Sequence, residues 1–153
     1  MERTLVILKP CTIQRGLIGE IIARFEKKGL ILEGMKMTWL TDEILSEHYA
    51  HLKERSFFQR VKDAMAVCPV IVCCWKGVDA VNVVRTLAGA TNGRNAAPGT
   101  IRGDYSMSVQ ENIVHASDSQ ETAAIELKRF FSEDELFNYE TKNLLSLYAN
   151  DEF

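Results

Sequence analysis

The sequence predicts an α/β (α+β) domain in which helices cover a four-stranded antiparallel sheet. Short apolar runs, of the length of buried strands, alternate with longer segments whose apolar residues recur every three or four positions. The elements follow one another as β-α-β-α-α-β-α-loop-β-α, which indicates a ferredoxin-like split β-α-β sandwich. The chain has 153 residues, 46% hydrophobic and 25% charged, and this predicts a single domain over 1–153.

Two strands and a helix are predicted in the first quarter of the chain. TLVIL (4–8) is continuously apolar, as expected for a strand buried on both faces. Thr12 is a possible N-cap for an amphipathic helix that Gly29 ends. In LILEGMKMTWL, with Glu33 as the exception, one face of a strand is predicted to carry Ile31, Met35, Met37 and Trp39.

The middle of the chain predicts three helices and a third strand. Thr41 is a plausible cap for the first of these helices, and a second runs from Ser56 to about Ala66. Pro69 precedes VIVCCW, which has the composition of a buried strand. A further helix follows and ends at Gly89.

A long segment rich in Gly, Asn and Ala, GATNGRNAAPGTIRG (89–103), predicts a loop. Loops of this length in compact domains are usually functional. DYSMSVQ (104–110) alternates like a strand but is equally compatible with a short helix. NIVH (112–115) predicts the last strand, and Ser119 caps the last predicted helix.

Several functional classes are disfavoured by charge and composition. The net charge of −3 gives no overall indication of a nucleic-acid partner. The four cysteines have no zinc-site spacing, and Cys73 and Cys74 lie in an apolar run, as buried reduced thiols do. The N-terminal apolar run is too short for a signal peptide, and MAVCPVIVCCW is too short to span a membrane. We therefore expect a cytoplasmic protein.

The three histidines have different contexts. His48 and His51 lie three apart on one predicted helix, but no carboxylate or cysteine nearby completes a metal site, so surface or core positions are expected. His115 ends a predicted strand, and small polar residues follow it. Side chains at strand ends often line active sites, and neutral imidazole is nucleophilic near neutral pH. A structural histidine at a strand–helix corner is the alternative, and this stretch alone favours it.

Basic residues lie where predicted elements end or begin. Lys9 follows the first strand, Arg85 lies late in a helix, and Arg102 follows the long loop. Together they suit a polyphosphate, because arginine binds phosphate in a bidentate manner and lysine adds a point charge. Thr91 and Asn112 offer neutral donors.

A family resemblance is carried by several stretches of the chain. They are ERTLVILKP, RGLIGEIIARFEKKGL, EHYAHLKERSFF, GATN with APGTIRGD, and NIVHASDS. The last contains N-x-x-H-x-S-D, a highly specific motif when it follows PGTIRGD. In order and spacing, over nearly the whole chain, these stretches resemble the nucleoside diphosphate kinase family.

The resemblance implies an enzyme that transfers the γ-phosphate of a nucleoside triphosphate, typically ATP, to a nucleoside diphosphate. It works by a ping-pong mechanism through phosphohistidine, and His115 matches the histidine. Glu126 matches the carboxylate that orients the ring, and Ser117 the hydroxyl that supports this contact. Six residues match those that hold the phosphates and the ribose in the family: Lys9, Tyr49, Arg85, Thr91, Arg102 and Asn112. Lys9 also belongs to the catalytic centre. Phe57 and Val109 match the pair that sandwiches the base. Mg²⁺ bridges the nucleotide phosphates, so direct protein ligands are not expected.

The chain departs from the family pattern at three places. Lys9-Pro10-Cys11-Thr12 stands where the family has Lys-Pro-Asp and a small residue, which leaves the geometry of this loop open. Ser56 and Gly93 stand in place of prolines, and the glycine is expected to loosen the long loop. None of these changes removes a catalytic group.

The resemblance also bears on assembly and on alternative functions. The family forms hexamers or tetramers from a common dimer, and the long tail after Phe131 resembles the hexameric members, so a homo-hexamer is expected. The alternative function is a catalytically weak relative that serves as a nucleotide-binding or regulatory module. The complete set of matched residues favours the enzyme. A generic ferredoxin-like domain would leave the long loop and the basic residues unexplained.

Overall fold

The computed structural model describes residues 1–141 and 144–153. Its strands are β1 (Glu2–Leu8), β2 (Ile31–Thr38), β3 (Val70–Gly77) and β4 (Val114–Ala116). Its α-helices are α1 (Pro10–Gln14), α2 (Ile18–Lys28), α3 (Asp42–His48), α4 (Phe58–Met65), α5 (Ala80–Ala88), α6 (Ile101–Tyr105), α7 (Gln120–Phe130) and α8 (Leu144–Leu147). Short 3₁₀ turns lie at Ala50–Leu52, Gly93–Asn95 and Glu133–Glu135. Within the described ranges, no helix has both the length and the apolar character needed to cross a bilayer.

The four strands form one antiparallel sheet in the order β2-β3-β1-β4. Helices α2 and α5 pack on one face, and α3, α4 and α7 pack on the other. Central strand β1 is buried on both faces, and Leu5, Val6, Ile7 and Leu8 are all fully buried. Burial of such side chains contributes roughly 1.5–3 kcal/mol each. The predicted fold class is confirmed.

The first predicted helix is divided into two. Pro10 occupies the first turn of α1, where its fixed φ and missing N–H are tolerated. Gly16, at φ +66°, ends that turn before α2 begins. Lys9, not Thr12, is the N-cap residue of α1. The predicted N-cap role of Thr12 is therefore wrong, because this residue lies inside α1 and is fully buried.

The prediction that Ile31 shares one face of β2 with Met35 and Met37 is wrong. Its register with β3 shifts between Leu32 and Gly34, where Glu33 forms a β-bulge. A shift of one residue moves the following side chains to the other face of the sheet. Ile31 therefore faces the opposite side from Met35, and the methionine is 54% exposed on an edge strand.

Glu33, the exception in the predicted pattern, is buried because two cations neutralise it. Its carboxylate accepts a hydrogen bond from Lys76 Nζ at 2.8 Å and another from Arg3. The backbone carbonyl of Glu33 accepts from Phe137 N–H at 2.7 Å, which holds the chain after α7 against the sheet. The bulge is thus a fixed structural feature.

Two predicted helix starts are confirmed by their caps. The Thr41 hydroxyl accepts from Ile44 N–H at 3.3 Å at the start of α3. The Ser119 hydroxyl accepts from Thr122 N–H at 3.0 Å at the start of α7. Each bond satisfies a backbone donor that lacks a partner within its helix.

The long segment 89–103 is more ordered than the predicted loop. Helix α6 begins at the end of this segment, where the Thr100 hydroxyl accepts a hydrogen bond from Gly103 N–H at 3.0 Å. Asp104 and Tyr105 complete this helix, and the rest of the undecided stretch 104–110 is neither helix nor strand.

Gly93 lies at a tightly packed point of this segment. It is buried, and its N–H donates to the Ser108 carbonyl at 3.0 Å. An ideal Cβ at Gly93 would lie 2.3 Å from the Ser106 carbonyl oxygen. The absence of a side chain at Gly93 allows the loop to pack closely here, and the expected loosening of the loop stays a prediction.

Candidate active site

A cleft of about 630 Å³ opens beside the end of β1 and the adjoining strand β4. Leu8 pairs with Val114, so the residue that follows β1 and the histidine within β4 reach the same edge of the sheet. Eight predicted site residues line this cleft: Lys9, Tyr49, Arg85, Thr91, Arg102, Asn112, His115 and Glu126. They come from distant parts of the sequence, and the fold brings them together.

His115 is the central residue of β4 and is anchored by a carboxylate from α7. Its Nε2 lies 3.0 Å from each carboxylate oxygen of Glu126. The Ser117 hydroxyl donates to the same carboxylate at 2.5 Å. Because Nε2 donates its proton to Glu126, Nδ1 is the ring nitrogen that keeps a lone pair. The histidine side chain is 22% exposed, so it is reachable from the cleft.

Glu126 is a buried carboxylate that stays ionised. Burial acts to raise its pKa, but hydrogen bonds from His115 and Ser117 outweigh burial and hold the pKa below its usual range. A charged Glu126 fixes the tautomer of the imidazole and stabilises positive charge that develops on the ring.

His48, for which a surface or core position is expected, is buried and lies in the same cluster. Its ring packs edge-on against that of His115, with centroids 4.5 Å apart, and its Nδ1 lies 3.7 Å from Glu126. Arg129 donates to His48 Nδ1 at 3.2 Å. Burial, and then the nearby His115, lower the pKa of His48 to about 3, so the ring is neutral at physiological pH.

The expectation that no carboxylate lies near these histidines is wrong for His48. Ligand atoms of His48, His115 and Glu126 all lie within 4.8 Å of one another. Hydrogen bonds engage these atoms, including one from a cationic arginine, which opposes a bound cation. His51, by contrast, is exposed, as expected for a surface residue.

Lys9 is a cationic donor of the inner cleft, and Asn112 is a neutral one. Lys9 Nζ donates to Asn112 Oδ1 at 2.6 Å and to the Gln110 carbonyl at 3.2 Å. Asn112 Nδ2 donates to the Thr91 carbonyl at 2.9 Å. Burial, followed by the positive charge of Arg102, lowers the pKa of Lys9 to about 8.

Arg102 is buried and holds backbone as well as lining the cleft. Its guanidinium donates to the carbonyls of Asn112 at 3.1 Å, Val114 at 2.7 Å and Gly89 at 2.9 Å. Burial and the charge of Arg85 lower its pKa to about 10, which still leaves a cation at neutral pH. This scaffolding role was not predicted, because the three carbonyls are brought together only by the fold.

Comparison with known proteins adds an independent observation. The family model described as nucleoside diphosphate kinase matches residues 2–136. The chain belongs to the nucleoside diphosphate kinase family. A nucleoside diphosphate kinase of Parabacteroides distasonis is 86% identical over 153 residues and covers 100% of both chains. The enzyme of Pyrococcus abyssi is 51% identical over 141 residues, 90% of this chain and 89% of its own.

Solved structures of the nucleoside diphosphate kinase family have the same fold. A halophilic member from Halobacterium salinarum, in complex with CDP, superposes with a TM-score of 0.94 at 40% identity, covering 96% of this chain and 98% of its own. A member from Babesia bovis gives 0.93 at 40% identity, covering 97% and 100%. The chain is accordingly a phosphotransferase that passes the γ-phosphate of a nucleoside triphosphate to a nucleoside diphosphate through a phosphohistidine.

Phe57 and Val109, the predicted base-binding pair, lie outside the described lining of the cleft. Phe57 is half-buried before α4, with the Arg55 guanidinium 5.8 Å from its ring centroid. Val109 is 52% exposed and lines a separate shallow depression with Arg94. The structure does not bring these two side chains together with the catalytic cluster.

A second cleft, of about 590 Å³, lies at the opposite end of the sheet. Cations such as Lys128 alternate with anions such as Glu133 around an apolar floor that includes Leu127 and Phe131. No histidine lines it among the residues that the structure describes. The cleft at His115 is therefore the one equipped for phosphoryl transfer.

Proposed function

We propose that His115 is the residue that carries the phosphate in this nucleoside diphosphate kinase. The observation that carries this proposal is the contact of Nε2 with both oxygens of buried Glu126 at 3.0 Å. Since Nε2 holds the proton, the electron pair of Nδ1 attacks the γ-phosphorus and the nucleoside diphosphate departs with the electrons of the broken P–O bond. The reverse step on a second diphosphate completes the ping-pong cycle.

Charge neutralisation is assigned to three of the basic residues that line the cleft. Phosphoryl transfer depends on positioning and on stabilising charge over the phosphate oxygens. We assign this stabilisation to Lys9 and Arg102, which are fixed by hydrogen bonds, and to Arg85, which is exposed at the rim. We assign contacts with phosphate and ribose to Tyr49, Thr91 and Asn112. Burial, then the charge of Glu126, raise the pKa of Tyr49, which leaves its hydroxyl a neutral donor.

A phosphotransferase of this family needs a divalent metal, and we propose Mg²⁺ bound to the nucleotide phosphates. The residues present fit that arrangement, because the inner cleft carries cations suited to phosphate oxygens, and Glu126, the buried carboxylate in its lining, is already engaged by His115 and Ser117. Mg²⁺ prefers oxygen ligands and retains water, so phosphates suit it better than the imidazoles do. When bound, it neutralises charge on the phosphate groups.

The proposed substrates are ATP with other nucleoside tri- and diphosphates. CDP in the solved relative supports the binding of diphosphates in this cleft. We assign the base to the outer mouth, between Phe57 and Val109, where stacking on an aromatic ring discriminates weakly among bases. Because these two side chains lie outside the cleft lining, their approach to the base requires local rearrangement.

A catalytically weak relative remains the alternative function. The hydrogen-bonded cluster of His115, Glu126 and Ser117 supports the active enzyme, because a purely nucleotide-binding module has no need of a buried carboxylate on a nucleophilic ring. Turnover separates the two: an active enzyme both takes up and donates phosphate, whereas a binding module does neither.

We also propose one domain, a homo-oligomer and a cytoplasmic location. One domain over 1–153 is supported by the tail, in which the Tyr139 hydroxyl donates to the Leu32 carbonyl at 2.8 Å.

An oligomer, with a hexamer favoured over a tetramer, is supported by an apolar surface on edge strand β2 and beyond, where Met35, Met37 and Trp39 are 54%, 57% and 60% exposed. All four cysteines are free thiols, which supports a reducing compartment.

Transfer of label tests the role of His115. The protein is incubated with γ-labelled ATP and Mg²⁺, separated from nucleotide, and then given GDP. We expect acid-labile label on the protein and its passage to GTP, because phosphoramidate bonds of histidine hydrolyse in acid. The His115→Asn variant should take up no label, whereas His51→Asn, a change at an exposed histidine that also lines the cleft, should still take up label.

Two outcomes would contradict this assignment. An unlabelled wild type would favour the weak relative. Equal labelling of the His115→Asn variant would place the phosphate on another residue.

A further inference from the structure

Ile113 has a backbone conformation that branched residues avoid. Two residues other than glycine have positive φ among those that the structure describes, Asp79 at 51° and Ile113 at 73°. Aspartate tolerates this region, but a β-branched residue there is an outlier. Ile113 is also fully buried and lies two positions before His115. Strain of this kind persists only where surrounding contacts fix it, and it often accompanies functional sites.

The carbonyl of Ile113 is held by two donors from the first turn after β1. Lys9 N–H donates to it at 2.9 Å, and the Thr12 hydroxyl donates at 2.5 Å. Thr12 is fully buried inside α1, so water does not replace its hydroxyl. The two flanking carbonyls, of Asn112 and Val114, are held by Arg102. Three consecutive carbonyls are therefore fixed, the central one by Thr12 and Lys9.

The left-handed residue determines where the neighbouring side chains point. In an extended strand, side chains three positions apart face opposite sides. Asn112 and His115 are three apart, yet both line the same cleft. The positive φ at Ile113 breaks the alternation between them, and β4 begins only at the next residue.

We propose that Thr12 is a positioning residue for phosphoryl transfer, whose hydroxyl holds the Ile113 carbonyl and thereby keeps Asn112 and His115 in one cleft. This inference rests on the proposed role of His115. Thr12 is not part of the cleft lining, so it acts through the backbone of Ile113. It gives this chain a hydrogen bond that a small residue without a hydroxyl at position 12 lacks.

Paired substitutions separate the hydroxyl from the shape of the side chain. Thr12→Val preserves the branched shape and removes the donor, whereas Thr12→Ser preserves the donor. We expect Thr12→Val to slow single-turnover labelling of the protein by γ-labelled ATP, and kcat, about tenfold, the effect of losing one buried hydrogen bond. Thr12→Ser should remain within about twofold of wild type. The loss should appear in kcat, with KM for nucleotide changed about threefold or less, because the phosphate-binding side chains remain.

Each other result overturns the inference. Thr12→Val with wild-type rates would show that the hydroxyl does not position His115. Equal slowing by Val and Ser would assign the effect to packing, and a loss confined to KM or to thermal stability would assign it to binding or folding. If Thr12→Val does not fold, Thr12→Ala replaces it in the same comparison with Thr12→Ser. Failure of the proposed function is distinguishable, because the wild type itself would then take no label.

Discussion

At the scale of single residues, the cleft combines groups whose protonation states are set by burial. Glu126 is held ionised by His115 and Ser117, whereas buried His48 is held neutral beside the same ring. Nδ1 of His115 is thus the nucleophilic nitrogen. The charged Glu126 carboxylate contacts the other ring nitrogen, and the uncharged His48 ring packs against the His115 ring. A protonated His48 would repel the positive charge that develops on His115 during phosphate transfer.

We expect Lys9 to make the activity of the enzyme decline at alkaline pH. Its pKa, lowered to about 8 by burial and by Arg102, belongs to the unliganded protein, and kcat/KM reports groups of that form. A lysine with a lowered pKa loses its charge as pH rises through that value. We expect kcat/KM for nucleotide to be maximal below pH 8 and to fall up to about tenfold per pH unit above it.

The Lys9→Arg variant is the matched control for this pH profile. Arginine keeps its charge throughout the range, so the decline that begins near pH 8 should disappear from its normalised profile. An identical decline in both proteins would assign the titration to another group.

How far the site was predictable differs from residue to residue. His115, Glu126 and the basic residues follow from motifs in the sequence and from their resemblance to a family. Sequence reasoning missed the contact of His48 with His115 and the bond from Thr12 to Ile113. Both join residues far apart in the chain, and neither leaves a periodic signal; the Thr12 hydroxyl looked like a helix cap because local capping is its commonest use.

At the scale of elements, apolar runs and caps predicted the strands and most helices correctly. β1 and β3 are buried on both faces, so their composition is unambiguous. The bulge in β2 was not predictable, since it depends on Arg3 and Lys76, which neutralise Glu33 from other strands. Helix α6 was missed because its five residues are too few to show a helical period, although Thr100 caps it.

Helix α6 also supplies a prediction, because it presents Arg102 to the cleft and packs tightly at Gly103. An ideal Cβ at Gly103 would lie 2.0 Å from the Ala97 carbonyl oxygen. We expect Gly103→Ala to destabilise the protein by about 1–3 kcal/mol through overpacking and to reduce kcat. Thermal unfolding and steady-state kinetics measure the two effects.

Gly19→Ala is the matched control for this substitution. It lies in α2, where an added Cβ meets nothing within 4 Å, so it should be stabilising by about 0.4–1 kcal/mol. Similar stability changes in the two variants would contradict the close packing of α6.

At the scale of the whole molecule, one surface is poorly suited to solvent. Edge strand β2 has only β3 as a neighbour in the described sheet, and exposed Met35, Met37 and Trp39 lie along it or just beyond it. Exposed edges of this kind promote association unless they are covered. The charge and composition of the whole chain do not reveal this surface, because it depends on the bulge that turns the methionines outward.

Light scattering tests assembly. We expect the wild type to have six times the 17.3 kDa mass of one chain, with four times that mass as the alternative. Met37→Glu should reduce the mass, since a charge on a buried interface is costly, whereas Val67→Glu, at an exposed residue outside β2, should not. A monomeric wild type, or an unchanged Met37→Glu assembly, would contradict this expectation.

The central claim is that Glu126 holds the Nε2 proton of His115, so that Nδ1 receives the phosphate. Phosphorus–nitrogen correlation NMR on the ¹⁵N-labelled phosphoenzyme, kept at neutral or alkaline pH, identifies the bonded nitrogen directly. We predict a single phosphoramidate on His115 Nδ1. Phosphate on Nε2, or on any other residue, would contradict this account of the site.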